Sequence, residues 1–203
     1  MKKPFRSDPP ERSITLKRQP YYCEENAWQL CQEPFFGSRK CHVVFISNLE
    51  QAVPMWNQRA GREKPGLNIW GYGSPSAPFA PNPIVWDYHV IVLAEDPVEI
   101  WDVDTLLGIP IDLFDYLQGS FHPEMPEQFQ PCFRIVHADV FVDIFASDRS
   151  HMQRPDGSFR KPPPTWPMIG KRGVKSNLMQ FVDMAQTFVG EVLSLEELRK
   201  RFG

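Results

Sequence analysis

The sequence predicts a mixed α+β domain built on an antiparallel sheet flanked by helices, and three observations carry that expectation. Cys41–Ser47 is a β-branched and aromatic run that reads as a strand. Two more strand-like runs, Ile84–Leu93 and Val98–Val103, are separated only by Ala94-Glu95-Asp96-Pro97, a connection whose simplest pairing is an antiparallel hairpin. Glu24–Gln32 and the C-terminal Ser194–Leu198 carry helical spacing and helix-start signals. A chain of 203 residues with 42% hydrophobic content is enough for one buried core, so residues 20–203 are expected to form a single domain.

In chain order, Met1–Gln19 mixes charge and proline and reads as a flexible arm. After Pro20-Tyr21-Tyr22, the apolar residues Ala27, Trp28, Leu30 and Cys31 recur at helical spacing. Glu24 and Glu25 suit a first turn, and Pro34 and Gly37 close the segment. Asn57–Pro83 is rich in Gly, Pro, Ser and Asn and reads as a long surface excursion or a loop over a site. Phe133–Phe145 contains two strand-like runs around His137-Ala138-Asp139, with helix as the secondary reading of Val140–Phe145. Ser147–Gly173 is charged and proline-rich, a long loop. Ser194 and Glu197 stand at capping-box spacing before a short final helix.

Composition bounds the partners. A net charge of −3 and a pI near 6.0 leave no basic stripe for nucleic acid or an anionic membrane surface. No run approaches the ~20 apolar residues of a membrane span, and the basic N-terminus has no apolar stretch behind it, so no signal peptide is expected. The expected location is cytoplasmic and nuclear, where thiols stay reduced. The four cysteines, Cys23, Cys31, Cys41 and Cys132, then read as free thiols. No Cys-x-x-Cys occurs, and Cys41-His42 is the one close Cys/His pair, so neither a structural zinc nor any other metal or cofactor is expected.

Chemistry concentrates at two places. Cys23 falls at a helix start, where the dipole and free backbone N–H groups favour a thiolate; position alone argues equally for a packed cysteine beside Tyr21-Tyr22. His89 lies in the first strand of the hairpin, ordinarily a structural position. If Asp96-Pro97 centres the turn, His89 faces Asp104; a one-residue shift makes it face Asp102. Both aspartates project on the His89 side in either register, so one can accept from one imidazole nitrogen and leave the other for a nucleophile. Cysteine at a helix start, then histidine and aspartate on adjacent strands, is the logic of papain-like hydrolases.

The segments Tyr22-Cys23-Glu24-Glu25-Asn26, Val44-Phe45-Ile46-Ser47-Asn48, Trp86-Asp87-Tyr88-His89-Val90 and Asp102-Val103-Asp104-Thr105 carry a resemblance that extends from about Tyr21 to the terminal Arg201-Phe202-Gly203. Phe145–Met152 and Pro162-Pro163-Pro164 belong to it as well. The chain resembles the protein N-terminal glutamine amidohydrolases, a small eukaryotic family marked by a Trp-Asp-Tyr-His-Val motif. The resemblance implies a papain-like α-β-α sandwich. It also implies Cys23 as nucleophile, His89 as base and Asp102, the first aspartate of Asp-x-Asp-Thr, as orienting acid. The substrates it implies are proteins and peptides with a free N-terminal Gln, deamidated to Glu with release of ammonia and fed into N-degron turnover; the chain itself is expected to be a monomer.

Glu24 and Glu25, next to the nucleophile, are candidates to hold the substrate α-ammonium, with Asp104 and Trp86 as further substrate contacts. Papain-like enzymes carry an oxyanion-hole glutamine six residues before the cysteine; here that position is Lys17, and Gln19 stands four before. The hole is therefore expected to use the Cys23 N–H and a second donor that the sequence does not identify. Asp148, Arg149 and His151 read as loop-tying residues, and Glu124, Glu127 and Asp139 as solvated charges. Residue chemistry alone gives a cysteine acyl-transfer enzyme. A peptidase or transglutaminase-like enzyme, or a non-catalytic module that binds protein N-termini, stands as the alternative.

Overall fold

The computed structural model describes residues 14–62, 83–170 and 174–203. In chain order the elements are α1 (Cys23–Cys31), α2 (Pro34–Gly37), β1 (Cys41–Ser47), β2 (Val53–Met55), α3 (Arg59–Arg62), β3 (Ile84–Trp86), β4 (His89–Ala94), β5 (Glu99–Trp101), β6 (Ile111–Asp112) and α4 (Leu113–Ser120). There follow β7 (Cys132–His137), α5 (Ala138–Ile144), α6 (Leu178–Val182), β8 (Glu191–Ser194) and α7 (Leu195–Phe202), with two short 3₁₀ turns at Glu127–Phe129 and Ser150–Met152. Six strands form one sheet in the order β6-β5-β4-β1-β7-β8, every neighbouring pair antiparallel, and β2 and β3 pair separately.

The centre of the sheet is β1, whose seven residues are all buried. Such a strand needs apolar side chains on both faces, which Cys-His-Val-Val-Phe-Ile-Ser supplies apart from its ends. Val43 and Phe45 enter a core with Ala27 and Leu30 of α1, Phe36 of α2, Phe141 of α5 and Phe181 of α6. Val44 and Ile46 enter a second core with Leu113, Tyr116 and Leu117 of α4 and Leu198 of α7. Period-two alternation thus sends successive side chains to opposite layers, and helices flank the antiparallel sheet on both faces. Arg134 of β7, 1% exposed, donates to the carbonyls of Phe181, Asp183, Gln186 and Val189 and ties the chain after α6 to the sheet.

Three expectations change. Ile84–Leu93 is not one strand: Ile84–Trp86 pairs with Val53–Met55 in the small sheet, and only from His89 does the chain join the main sheet. Asp87 makes the break, its carbonyl accepting from the Ser47 hydroxyl at 2.6 Å and its carboxylate from the Tyr88 N–H at 3.0 Å. Phe133–Phe145 resolves into strand β7 and helix α5, the helical alternative for its second half. The third concerns the chain before α1. Met1–Ser13 lie outside the described residues, but the last part of the expected arm is fastened: Lys17 donates to Gln29 at 2.9 Å, Arg18 to Asp104 at 2.7 Å and the Gln19 N–H to Asn26 at 2.8 Å. Of the long stretch Asn57–Pro83, residues 63–82 lie outside the described residues; Gln58 bridges to Thr105 and α3 follows.

Candidate active site

The start of α1 is set by a local clasp. Gln19 and Asn26 exchange two hydrogen bonds, Gln19 N–H to Asn26 Oδ1 and Asn26 Nδ2–H to the Gln19 carbonyl at 3.0 Å, and Tyr21 adopts φ +69°. Cys23 thereby becomes the first helical residue, 7% exposed, its backbone N–H among those a helix start leaves without an intrahelical partner. Cys23 lines a cavity of about 160 Å³ together with Tyr21, Trp86, His89, Asp104 and His151. That volume is about five waters at ~30 Å³ each, the scale of one amino-acid side chain. A larger hollow of about 570 Å³, around Glu33, Phe35, Arg39 and Asp96, carries none of the candidate catalytic residues.

His89 is 1% exposed, and its Nε2 stands 3.0 Å from Asp102 Oδ1 in an ion-pair contact whose N–H···O line is poorly aligned. Its Nδ1 is buried without a hydrogen-bond partner. The hairpin explains the meeting with Asp102 in a way the sequence did not. Val92 pairs with Trp101 and Ala94 with Glu99, the register that would set His89 opposite Asp104. The ladder stops at Trp101, however. Asp102 Oδ1 accepts the Asp104 N–H at 2.8 Å, and the Thr105 N–H bonds the Asp102 carbonyl at 3.3 Å. This turn swings Asp102 to the imidazole and leaves Asp104 on the cavity wall. Asp102 Oδ2 accepts from the Tyr116 hydroxyl at 2.9 Å and from Gln58 Nε2 at 3.2 Å. Tyr116 and Gln58, partners that sequence reading missed, come from α4 and from the Asn57–Arg62 segment.

The electrostatics follow from these neighbours. Burial opposes the Asp102 carboxylate, but the His89 charge, the Asp104 N–H and Gln58 outweigh it, so Asp102 stays below its ordinary range. Burial likewise opposes the imidazolium, yet Asp102 above all, then Asp104 and Glu24, hold His89 above 6.5. Cys23 departs from expectation. Burial, followed by Glu24 and Asp104, pushes its thiol well above 9.0, and the Val90 N–H, which acts the other way, does not compensate. The helix start does not offset burial and these two carboxylates.

The remaining candidates divide. Glu24 is fully buried; Oε2 accepts from the Tyr88 hydroxyl at 3.1 Å and lies 3.8 Å from Cys23 Sγ. Its Oε1 lacks a hydrogen-bond partner and faces His151 Nε2 at 3.4 Å. His151, assigned to loop-tying from sequence, thus belongs to the cavity. Glu25 does not line the cavity: its carboxylate accepts two bonds from Arg149, at 2.8 Å each, one from Trp166 Nε1 at 2.7 Å and one from the Ser147 hydroxyl at 3.3 Å. Arg149 also donates to the carbonyls of Pro164 and Trp166, which makes the pair the fastening of the proline-rich loop. Asp104, 5% exposed, lines the cavity while Oδ1 holds Arg18; burial keeps its carboxyl above the ordinary value despite His89 and Arg18. Trp86 lines it too, its ring stacked on the His89 imidazole at 5.7 Å and 17°. Lys17, at the position of the papain-like glutamine, binds Gln29 on α1. Among the described residues no cluster of three His, Cys, Asp or Glu side chains is arranged to hold a metal ion.

A thiol and a carboxylate-held imidazole at the wall of one small cavity are the equipment of a hydrolase that attacks an acyl carbon. Sequence comparison narrows that class. The model of the N-terminal glutamine amidase family matches residues 18–74 and 76–202. Curated relatives named protein N-terminal glutamine amidohydrolase match in Homo sapiens (37% identity, 90% of this chain and 85% of the relative), Bos taurus (36%, 89% and 84%) and Arabidopsis thaliana (36%, 84% and 76%). The chain belongs to the N-terminal glutamine amidase family and is an amidohydrolase.

Proposed function

We propose that the protein deamidates the side chain of glutamine at the N-terminus of proteins and peptides, through a Cys23–His89–Asp102 thioester mechanism. The observation that carries the reading is that Cys23 and His89 share one cavity while His89 keeps Nδ1 without a partner and turns Nε2 to Asp102. Cys23 at the start of α1, with His89 on the sheet strand beside it, supports a papain-like arrangement.

The steps follow from the groups. His89 Nδ1 takes the Cys23 proton as Sγ attacks the Gln Cδ carbon, and backbone N–H groups at the start of α1 face the developing oxyanion. Collapse of the tetrahedral intermediate breaks the C–N bond, and the imidazolium protonates the leaving nitrogen, which departs as ammonia. Water, deprotonated by His89, attacks the thioester; Sγ leaves and regains its proton, and the product is an N-terminal Glu. Asp102 holds the ring in orientation and favours the imidazolium formed in both steps. Thiol and imidazole exchange one proton as chemistry begins, which suits a thiol that burial holds protonated at rest.

A free α-ammonium is the one feature that distinguishes an N-terminal Gln from an internal one. The carboxylates of Asp87 and Asp104 on the cavity wall, backed by Glu24, favour a cation there, and we assign recognition to that side. The product fits an early step of N-degron turnover in the cytoplasm and nucleus. The test is mass spectrometry of a Gln-initiated peptide after incubation. A gain of about 1 Da with ammonia release and an intact backbone is expected from amide hydrolysis; shortened peptides would favour a peptidase, and binding without product a recognition module.

A further inference from the structure

Buried polar atoms without partners are uncommon, and each calls for an explanation. Around this one cavity five such atoms gather: Trp86 Nε1, His89 Nδ1 and Nε2 (the latter in ion-pair contact with Asp102), His151 Nδ1 and Glu24 Oε1. We propose that the Trp86 indole N–H is the second donor of the oxyanion hole, acting with the N–H groups at the start of α1 on the oxygen of the Gln side-chain amide. The inference rests on the deamidation reading above and assigns a catalytic residue to it.

The assignment follows from what each atom can do. An indole N–H only donates, and in the reacting amide only the oxygen accepts, so an unpaired indole in the wall of the nucleophile's cavity has one complementary atom in that amide. Glu24 Oε1 can only accept and would repel an oxyanion. His151 turns Nε2 toward Glu24 Oε1, which favours the Nε2–H tautomer and leaves Nδ1 an acceptor. Arg160 also lines the cavity, but it is exposed, and a solvated guanidinium is a weaker candidate than a buried donor. His89 Nδ1 is occupied with the thiol proton.

Position is also right. The Trp86 ring lies nearly parallel to the His89 imidazole at 5.7 Å, and both residues line the cavity. Tyr21 packs edge-on against the indole at 6.2 Å, and pairing of Trp86 with Val53 in the small sheet pins its backbone. A donor held this rigidly needs no reorganisation when charge develops, the condition under which such donors matter most.

The test replaces the N–H while keeping the ring. Trp86→Phe, and benzothienylalanine at position 86 (same bicycle, sulfur in place of N–H), are compared with wild type on a Gln-initiated peptide and with iodoacetamide, whose alkylation of Cys23 forms no oxyanion. The expected result in both variants is a kcat lower by about 10²–10³-fold, with KM and alkylation rate within a few-fold and the acid limb of kcat/KM unmoved. The inference is overturned if kcat stays within about threefold of wild type. It is equally overturned if alkylation falls in step with kcat or the acid limb moves, because the ring then only positions His89. Absence of ammonia release by wild type would instead refute the deamidation reading, and this inference with it.

Discussion

Asp102→Asn removes the charge on which the proposed base depends, and the structure sets the size of the effect. Asp102 is 2% exposed and surrounded by four donors: His89 Nε2, the Asp104 N–H, the Tyr116 hydroxyl and Gln58 Nε2. An amide there loses the charge and replaces one acceptor oxygen with a donor. At the 3.0 Å separation of His89 and Asp102, unit charges in an effective dielectric near 20 attract by about 5 kcal/mol, of which burial of the imidazolium takes back part. A net loss of roughly 3–4 kcal/mol in the transition state corresponds to a drop of about 10²–10³ in kcat/KM. Asp104→Asn touches the Arg18 contact, a weaker influence on His89 and one of the carboxylates assigned to the α-ammonium, and is expected to raise KM while lowering kcat by less than about tenfold. The assay is ammonia release from a Gln-initiated peptide across about pH 5.5–10, with circular dichroism to confirm that both variants fold. Asp102→Asn should also move the acid limb to lower pH, because His89 loses the main group that raises its pKa. The reasoning is refuted if Asp104→Asn is the more crippled variant in kcat, or if Asp102→Asn retains kcat/KM within about fivefold.

In the wild type, kcat/KM should be bell-shaped with its acid limb above pH 6.5 and its alkaline limb above pH 9.0, because Asp102 raises His89 while burial and Glu24 raise Cys23. These limbs belong to the pair, which needs one proton between thiol and imidazole; a maximum in weakly acidic solution would contradict it. N-acetylation of the substrate should lower kcat/KM by at least about 10²-fold, since the carboxylates at the cavity then lose their cation, and Glu24→Gln should raise KM for free-amine peptides; equal turnover of acetylated and free peptides would remove the ammonium site. Arg149→Ala leaves the buried Glu25 carboxylate unpaired, a cost of about 3–5 kcal/mol, and should lower Tm by roughly 10 °C in a domain of this size while Cys23 remains reactive below the transition; an unchanged thermal scan would show that the pair does not fasten the loop.

Much of the fold was legible where local pattern and tertiary role agree. The β-branched run of β1, the spacing of α1 and the Ser194–Glu197 capping box each specify a local geometry that packing keeps. The strand through Ile84–Leu93 failed because its pattern is continuous while Asp87, bonded to Ser47 and Tyr88, divides it between two sheets. Helix α4 was missed although Asp112 caps it and Leu113, Tyr116 and Leu117 stand at helical spacing, a signal that was available. For the site, strand parity brought His89 to two aspartates but could not choose between them, since the choice lies in a turn after Trp101. Glu24 and Glu25 look alike in sequence, and only Arg149, 124 residues further on, draws Glu25 away. The contact of His151 with Glu24 is equally long-range.

The central claim is that Cys23 carries the acyl group. Wild type mixed with a Gln-initiated peptide and quenched rapidly in acid should give a covalent adduct about 17 Da lighter than enzyme plus peptide, the thioester formed on loss of ammonia. Digestion should map it to the segment containing Cys23, and Cys23→Ala should form neither adduct nor ammonia. Ammonia release by folded Cys23→Ala, or an adduct on any other residue, would contradict the account.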